Sequence, residues 1–278
     1  MRKITIPYLV FTSLYFVLAL FTILMLVLTS CFDEFGQMFR LTTQPFGVYF
    51  DIGIVLLTCS VIVAIFNIVR IYISHLPKLY SVAIGVVLCG FLFLLYSEMF
   101  LLERVFLDIF SLEDSIALNN ENIFYKNAYQ IITDYLFYCF FILLPFIAYL
   151  INLSFDKSAI GKVLQLTQPS FNVMICALFG FAITPFFKSG MYGYVDLGLF
   201  CLGLYFVGHY CFKRYSSIDS YEYFNVFLLL VVFLVMLFGD FKFVNGESYF
   251  EVRKVFYILV LFGWSNSWMM KLTTKRKT

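Results

Sequence analysis

Residues 47–69 read GVYFDIGIVLLTCSVIVAIFNIV, and this stretch decides the fold class. Asp51 is its only charged residue, and apolar side chains would cover every face of the helix that it forms. A helix needs about 20 mostly apolar residues to cross a membrane, whereas a buried strand is much shorter. The stretch therefore predicts a transmembrane helix.

The composition of the whole chain agrees with this interpretation. Of 278 residues, 62% are hydrophobic and 13% are charged, against about 25% charged residues in a typical soluble domain. A soluble domain of this size has too small an interior to hide so much apolar surface. A net charge of +2 offers no basic surface for nucleic acid. An ordinary soluble enzyme and a nucleic-acid-binding protein are therefore excluded, and the lipid bilayer is the expected surrounding.

Similar apolar runs recur along the chain and predict an all-α membrane protein with eight transmembrane helices. The predicted spans are 8–30, 47–69, 79–101, 131–151, 171–187, 192–212, 223–239 and 254–270. If both termini are cytoplasmic, the inner segments hold most of the 19 basic residues, as the positive-inside rule requires. We therefore expect cytoplasmic N- and C-termini and a location in the bacterial inner (plasma) membrane.

The end of the first span resembles a bacterial lipoprotein cleavage box, because residues 27–31 read VLTSC. The apolar stretch before it is longer than the roughly 7–15 residues usual in a signal peptide. We therefore interpret residues 1–30 as a retained helix, with removal as a signal peptide as the alternative.

Two similar motifs predict an internal repeat. The second span opens with YFDIG at residues 49–53, and the sixth opens with YVDLG at residues 194–198. The third and seventh spans each end with a small residue followed by an acid. We expect two tandem four-helix units, residues 1–152 and 153–278, related by a pseudo-axis along the membrane normal. The glycine of each motif is expected to allow close helix approach, and chance similarity between Leu- and Phe-rich helices is the alternative.

Acidic residues near the outer ends of the spans are the candidate binding residues. They are Asp51, Glu98, Asp134, Asp196 and Asp240, and no acid is expected at the inner ends. Antiparallel neighbours would bring Asp51 to the depth of Glu98 and Asp196 to the depth of Asp240, and paired carboxylates take up a proton or cation readily. Because carboxylates avoid lipid, the pattern predicts an outward-facing acidic cavity for a proton, a metal cation or a cationic group. Acids that merely mark the span ends are the alternative.

Polar residues also lie deep in the last span, where residues 264–268 read WSNSW. The polar side chains could bond across helices, whereas the two tryptophans favour an aromatic belt at the membrane interface. The longest outer segment, 103–130, predicts a short amphipathic helix with an acidic face. This segment is the expected contact for a membrane or extracytoplasmic protein partner. Oligomer formation is a further alternative.

A short segment resembles an enzyme signature. Residues 238–242 read FGDFK, similar to part of the Gly-x-Gly-Asp signature of intramembrane aspartyl proteases, including prepilin peptidases. The resemblance implies Asp240 and Asp196 as two catalytic aspartates that share a proton. However, Leu237 replaces the first glycine, and the prepilin enzymes work from the cytoplasmic side. With no HExxH, GxSxG or Walker A motif, an enzyme is the less expected reading.

No cofactor and no metal centre is expected, because the seven cysteines form no CxxC pair and the chain has two histidines. Two function classes remain. The first is a small transporter-like or ligand-binding bundle, favoured because acids recur at matching positions of the two halves. The second is a non-catalytic membrane subunit, a sensor or scaffold of a larger assembly, which stays open because 278 residues is short for a secondary transporter.

Overall fold

A computed structural model describes residues 6–43, 47–73, 78–100, 170–183, 191–214, 220–239 and 246–275. Every regular element among these residues is an α-helix. The helices are α1 (Ile6–Cys31), α2 (Asp33–Thr42), α3 (Val48–Ile73), α4 (Lys78–Phe100), α5 (Phe171–Ala182), α6 (Met191–Arg214), α7 (Ser220–Phe238) and α8 (Gly246–Lys275). The predicted span 131–151 and the predicted outer segment 103–130 lie outside the described residues.

Three of these helices are long and apolar enough to cross a membrane, over Leu9–Cys31, Val48–Ile73 and Lys78–Leu95. Their outward faces are apolar as well, since large aliphatic and aromatic side chains of α1, α3 and α4 are exposed. The apolar parts of α5, α6 and α7 are shorter. The all-helical fold class is thus confirmed for the described residues, whereas the number of eight spans stays a prediction.

The last helix, α8, is the centre of the described bundle. Every residue from Val252 to Trp268 is buried, so no face of this segment reaches the surface. Its neighbours are α1, α3 and α5. Since α1 and α3 belong to the predicted unit 1–152, α8 joins the two predicted halves into one core, and the division into units stays a prediction.

The contact between α1 and α8 depends on a glycine. A Cβ atom at Gly263 would overlap the ring of Phe11, so only a glycine allows this approach. Further along the pair, the Tyr15 and Phe256 ring centroids lie 6.5 Å apart in an edge-on arrangement. Because Phe11 precedes Tyr15 while Gly263 follows Phe256, the two helices run antiparallel.

The short helix α5 is buried along its entire length and packs against α6, α7 and α8. It begins at the cap residue Ser170, whose side-chain oxygen accepts a hydrogen bond from the Val173 N–H at 3.4 Å. Phe179 and Phe256 then lie with ring centroids 4.6 Å apart. This aromatic packing fixes α5 against α8.

Helices α3 and α8 pack against each other in a parallel orientation. A Cβ at Gly53 would lie 3.3 Å from Ile258 Cδ1, so the glycine brings the helices together near the start of α3. Asn67, which follows Gly53 by 14 residues in α3, forms a hydrogen bond with Ser265 of α8. Both helices therefore progress in the same direction through the bundle.

One helix, α2, has no counterpart among the predicted elements. Its first turn carries Asp33 and Glu34 and its last turn carries Arg40, the arrangement that a helix dipole favours. These charges were the available sequence signal for α2, which the sequence-based prediction did not use.

The buried face of α2 holds this helix against the bundle. Phe39 is fully buried, and its ring centroid lies 6.5 Å from that of Tyr49 in α3. The Tyr49 hydroxyl in turn shares a hydrogen bond of 3.1 Å with the Thr22 hydroxyl of α1. The three helices therefore meet at one buried point.

Candidate functional site

The first candidate acid, Asp51, lies in the first turn of α3 and its side chain is exposed. A carboxylate at this position is favoured by the partial positive charge of the helix N-terminus. The backbone N–H of Asp51 donates to the Gly47 carbonyl at 3.1 Å and so forms the first turn.

Glu98 lies near the end of α4, the packed neighbour of α3. Only residues 74–77 separate the two helices, so they form an antiparallel hairpin. At 1.5 Å per residue, Asp51 lies about 33 Å and Glu98 about 30 Å from this connection. The backbones of the two acids are therefore at the same end of the hairpin, and the Glu98 side chain is outside the described atoms.

The other candidate acids are described less fully. Asp196 lies in the second turn of α6, where the backbone alone is described. Asp134 and Asp240 lie outside the described residues. The acidic cavity as a whole therefore stays a prediction.

The two repeat motifs place their glycines in different surroundings. At Gly53 a Cβ would contact Ile258 and Val255, so the expected close approach is confirmed there. At Gly198 a Cβ would meet nothing within 4 Å, and the residue is exposed. The expected close approach is therefore not found at Gly198 among the residues that the structure describes, because none of them packs against that position.

Charged residues are buried in the first turns of α8, where the sequence analysis predicted an outer segment before a span at 254–270. Arg253 is 4% and Lys254 is 7% exposed. Lys254 Nζ lies 3.0 Å from Glu251 Oε1, one turn away. The i, i+3 spacing of acid and base was the missed signal for a longer helix.

These charges lie near the level of Asp51. Val255, the residue after Lys254, has its Cγ2 3.8 Å from the position of a Cβ at Gly53. Gly53 follows Asp51 by two residues, which is about 3 Å along a helix. Acidic and basic side chains therefore occur at one depth of the bundle.

A polar cluster lies further along α8. The Asn67 Nδ2 atom donates to the Ser265 carbonyl oxygen at 3.1 Å, so α3 and α8 are linked through a backbone carbonyl of the WSNSW segment rather than through its polar side chains. The Trp264 and Trp268 rings pack edge-on with centroids 4.6 Å apart. Both are buried, at 3% and 0% exposed, so the interpretation as an interfacial belt was wrong. The two tryptophans are surrounded by other helices rather than by lipid headgroups.

Several polar atoms of this cluster have no hydrogen-bond partner within the described part of the chain. They are Asn67 Oδ1, Ser265 Oγ, Asn266 Nδ2 and Trp268 Nε1. Ser267 differs, because its hydroxyl donates to the Trp264 carbonyl at 2.6 Å. Unpaired polar atoms in a buried position cost stability, so their concentration at one place requires an explanation.

A second buried polar contact joins α5 and α7. Asn225 Nδ2 donates to Asn172 Oδ1 at 2.9 Å, and both residues are buried. Glu222, one turn before Asn225, is 9% exposed. This acid was not among the candidate binding residues, and whether its end of α7 faces inward stays a prediction. Because α7 begins at Ser220, Glu222 belongs to the helix and not to the preceding segment.

Comparison with known proteins found no matching family model, no matching curated protein and no matching solved structure. Across the described ranges, no three His, Cys, Asp or Glu side chains are grouped so that they could hold a metal ion. The three long apolar helices indicate a membrane-embedded helical protein.

Proposed function

We propose that the protein is a small transporter-like or ligand-binding membrane bundle, in which acids near the outer face bind a proton or another cation. The observation that carries this proposal is the burial of Arg253 and Lys254, with the half-buried Glu251 paired to Lys254, in a helix enclosed by other helices. Ionisable side chains are costly inside a membrane bundle, and they commonly mark substrate or ion pathways.

Asp51 and Glu98 are the first ligands of this proposal, because their backbones lie at the same end of the α3–α4 hairpin. Two nearby carboxylates disfavour double ionisation, so one of them takes up a proton or both share a cation. Further proposed ligands are Asp134, Asp196 and Asp240.

The proposed arrangement has eight spans in two tandem units, with both termini in the cytoplasm of a bacterium and the chain in its inner membrane. In that arrangement the first and last spans run in opposite directions, and the second and last run in the same direction. The antiparallel contacts of α1 with α8 and the parallel contacts of α3 with α8 support it.

The test is proton uptake into proteoliposomes that contain the purified full chain and the dye pyranine, driven by a potassium diffusion potential with valinomycin. We expect Asp51→Asn to lower the rate several-fold. Asp33→Asn is the matched control, because Asp33 is an exposed acid in the first turn of another helix, α2. Its rate should equal that of the unmodified protein.

Sodium, potassium and magnesium uptake are measured in the same vesicles. Rates equal to those of empty vesicles for every ion, with the protein folded, would overturn the transport proposal. The competing class, a non-catalytic membrane subunit, predicts this result together with a stoichiometric partner on purification.

A further inference from the structure

We infer that the polar cluster of α3 and α8 is a binding site for an uncharged group that both donates and accepts hydrogen bonds, a hydroxyl or a carboxamide. Within the described ranges, its unpartnered polar atoms belong to Asn67 and Ser265, which are bonded to each other, and to Asn266 and Trp268, which follow Ser265 by one and three residues on α8. This site is separate from the proposed acids, and the inference does not rest on cation transport.

The first support is the pairing of the two helices at this point. Asn67 and Ser265 are both fully buried, and Asn67 Nδ2 donates to the Ser265 carbonyl oxygen at 3.1 Å. This bond holds the Asn67 side chain against α8. Nevertheless, Asn67 Oδ1 and the Ser265 hydroxyl are left without partners among the described residues.

The second support is a contrast with other buried hydroxyls of the bundle. Ser60 donates to the Leu56 carbonyl at 2.8 Å, and Thr29 donates to the Met25 carbonyl at 2.6 Å. A helical hydroxyl satisfies itself in this way at little cost. The Ser265 hydroxyl makes no such bond to a carbonyl of its own helix, although α8 offers carbonyls at the same spacing. Its hydroxyl therefore stays available to another molecule.

The chemistry of the four atoms defines the ligand. Asn67 Oδ1 accepts, Asn266 Nδ2 and Trp268 Nε1 donate, and the Ser265 hydroxyl does both. Ser265 and Trp268 are three residues apart and so share one face of α8. All four side chains are neutral, and an ion buried among them would lack a counter-charge. A hydroxyl and a carboxamide each supply the donors and acceptors that this set requires.

The site is closed in this structure, because each of the four atoms is shielded from solvent. A ligand therefore enters only when α3 and α8 separate locally. Binding that waits for such an opening is slower than diffusion-limited association.

The intrinsic tryptophan fluorescence of the chain can report binding at this site. The chain has two tryptophans, Trp264 and Trp268, whose rings contact each other in the cluster. The intrinsic tryptophan emission of the full chain in lipid nanodiscs therefore reports the surroundings of this site.

The experiment titrates this emission with myo-inositol as the hydroxyl source and acetamide as the carboxamide source. We expect a saturable change with at least one neutral probe and none with sodium acetate. The change should be lost in Asn67→Leu and Ser265→Ala and kept in Ser60→Ala, the matched control. The probe that produces it identifies the source. No saturable change with either neutral probe, or equal changes in Ser265→Ala and Ser60→Ala, would overturn the inference.

Thermal unfolding without ligand gives a second test that does not need the right probe. Ser265→Ala removes a hydroxyl without a partner, so the unfolding midpoint should stay the same or rise. Ser60→Ala loses a bond that is made, so its midpoint should fall. If Ser265→Ala lowers the midpoint as much as Ser60→Ala, the hydroxyl is structural and the inference is wrong.

Discussion

The side chain of Asn67 on α3 donates a hydrogen bond of 3.1 Å to the backbone carbonyl of Ser265 on α8, 198 residues later in the chain. This bond and the glycine contact at Gly53 hold α3 along the central helix. The most polar part of the described interior is therefore built by segments that are far apart in sequence.

The two repeat motifs should respond differently to the same substitution. Gly53→Leu inserts a side chain where Ile258 Cδ1 lies 3.3 Å from a Cβ, so overpacking should cost about 1–3 kcal/mol. Gly198→Leu is the matched control and should change stability little, because no atom of the described residues lies within 4 Å of a Cβ there. Denaturant unfolding in detergent measures both variants. Equal destabilisation would show that the two motifs have equivalent surroundings.

The asparagine pair between α5 and α7 should contribute a measurable coupling. Asn172→Ala and Asn225→Ala each break the bond of 2.9 Å. A double-mutant cycle should give a coupling of about 0.6 kcal/mol, the average for hydrogen bonds between membrane helices. A coupling of zero, with the fold retained, would contradict the assigned pair.

The Tyr49 hydroxyl should stabilise the junction of α1 and α3. Tyr49→Phe removes its hydrogen bond of 3.1 Å to Thr22 and should cost about 0.5–1.5 kcal/mol. Tyr72→Phe, at an exposed position near the other end of α3, should be close to neutral. Thermal unfolding compares the two. A larger loss in Tyr72→Phe would refute the role of the junction.

Removal of the buried ammonium group should weaken the start of α8. Lys254→Met removes the ion pair in which Lys254 Nζ lies 3.0 Å from Glu251 Oε1. Because Glu251 retains some exposure to solvent, we expect a loss of about 1–3 kcal/mol, below that of a fully buried pair. Lys78→Met, at an exposed lysine that begins α4, provides the control. The unfolding midpoint should fall for the first variant alone.

The helices themselves were largely predictable from the sequence. The prediction 79–101 corresponds to Lys78–Phe100, and the prediction 192–212 corresponds to Met191–Arg214. A long apolar run is a local property of the chain, so its length alone indicates a helix. The start of α8 was missed because charged residues interrupt its apolar run. The short α2 was missed because it contains charged residues and no long apolar run.

The sequence by itself therefore determined the all-helical class and the positions of the apolar helices. The tertiary structure alone decided that Gly53 is packed while Gly198 is open, and that Trp268 and Arg253 are enclosed. The physical reason is that burial depends on which other helix covers a given face. That helix comes from a distant part of the chain, so residues with the same local pattern can have different neighbours.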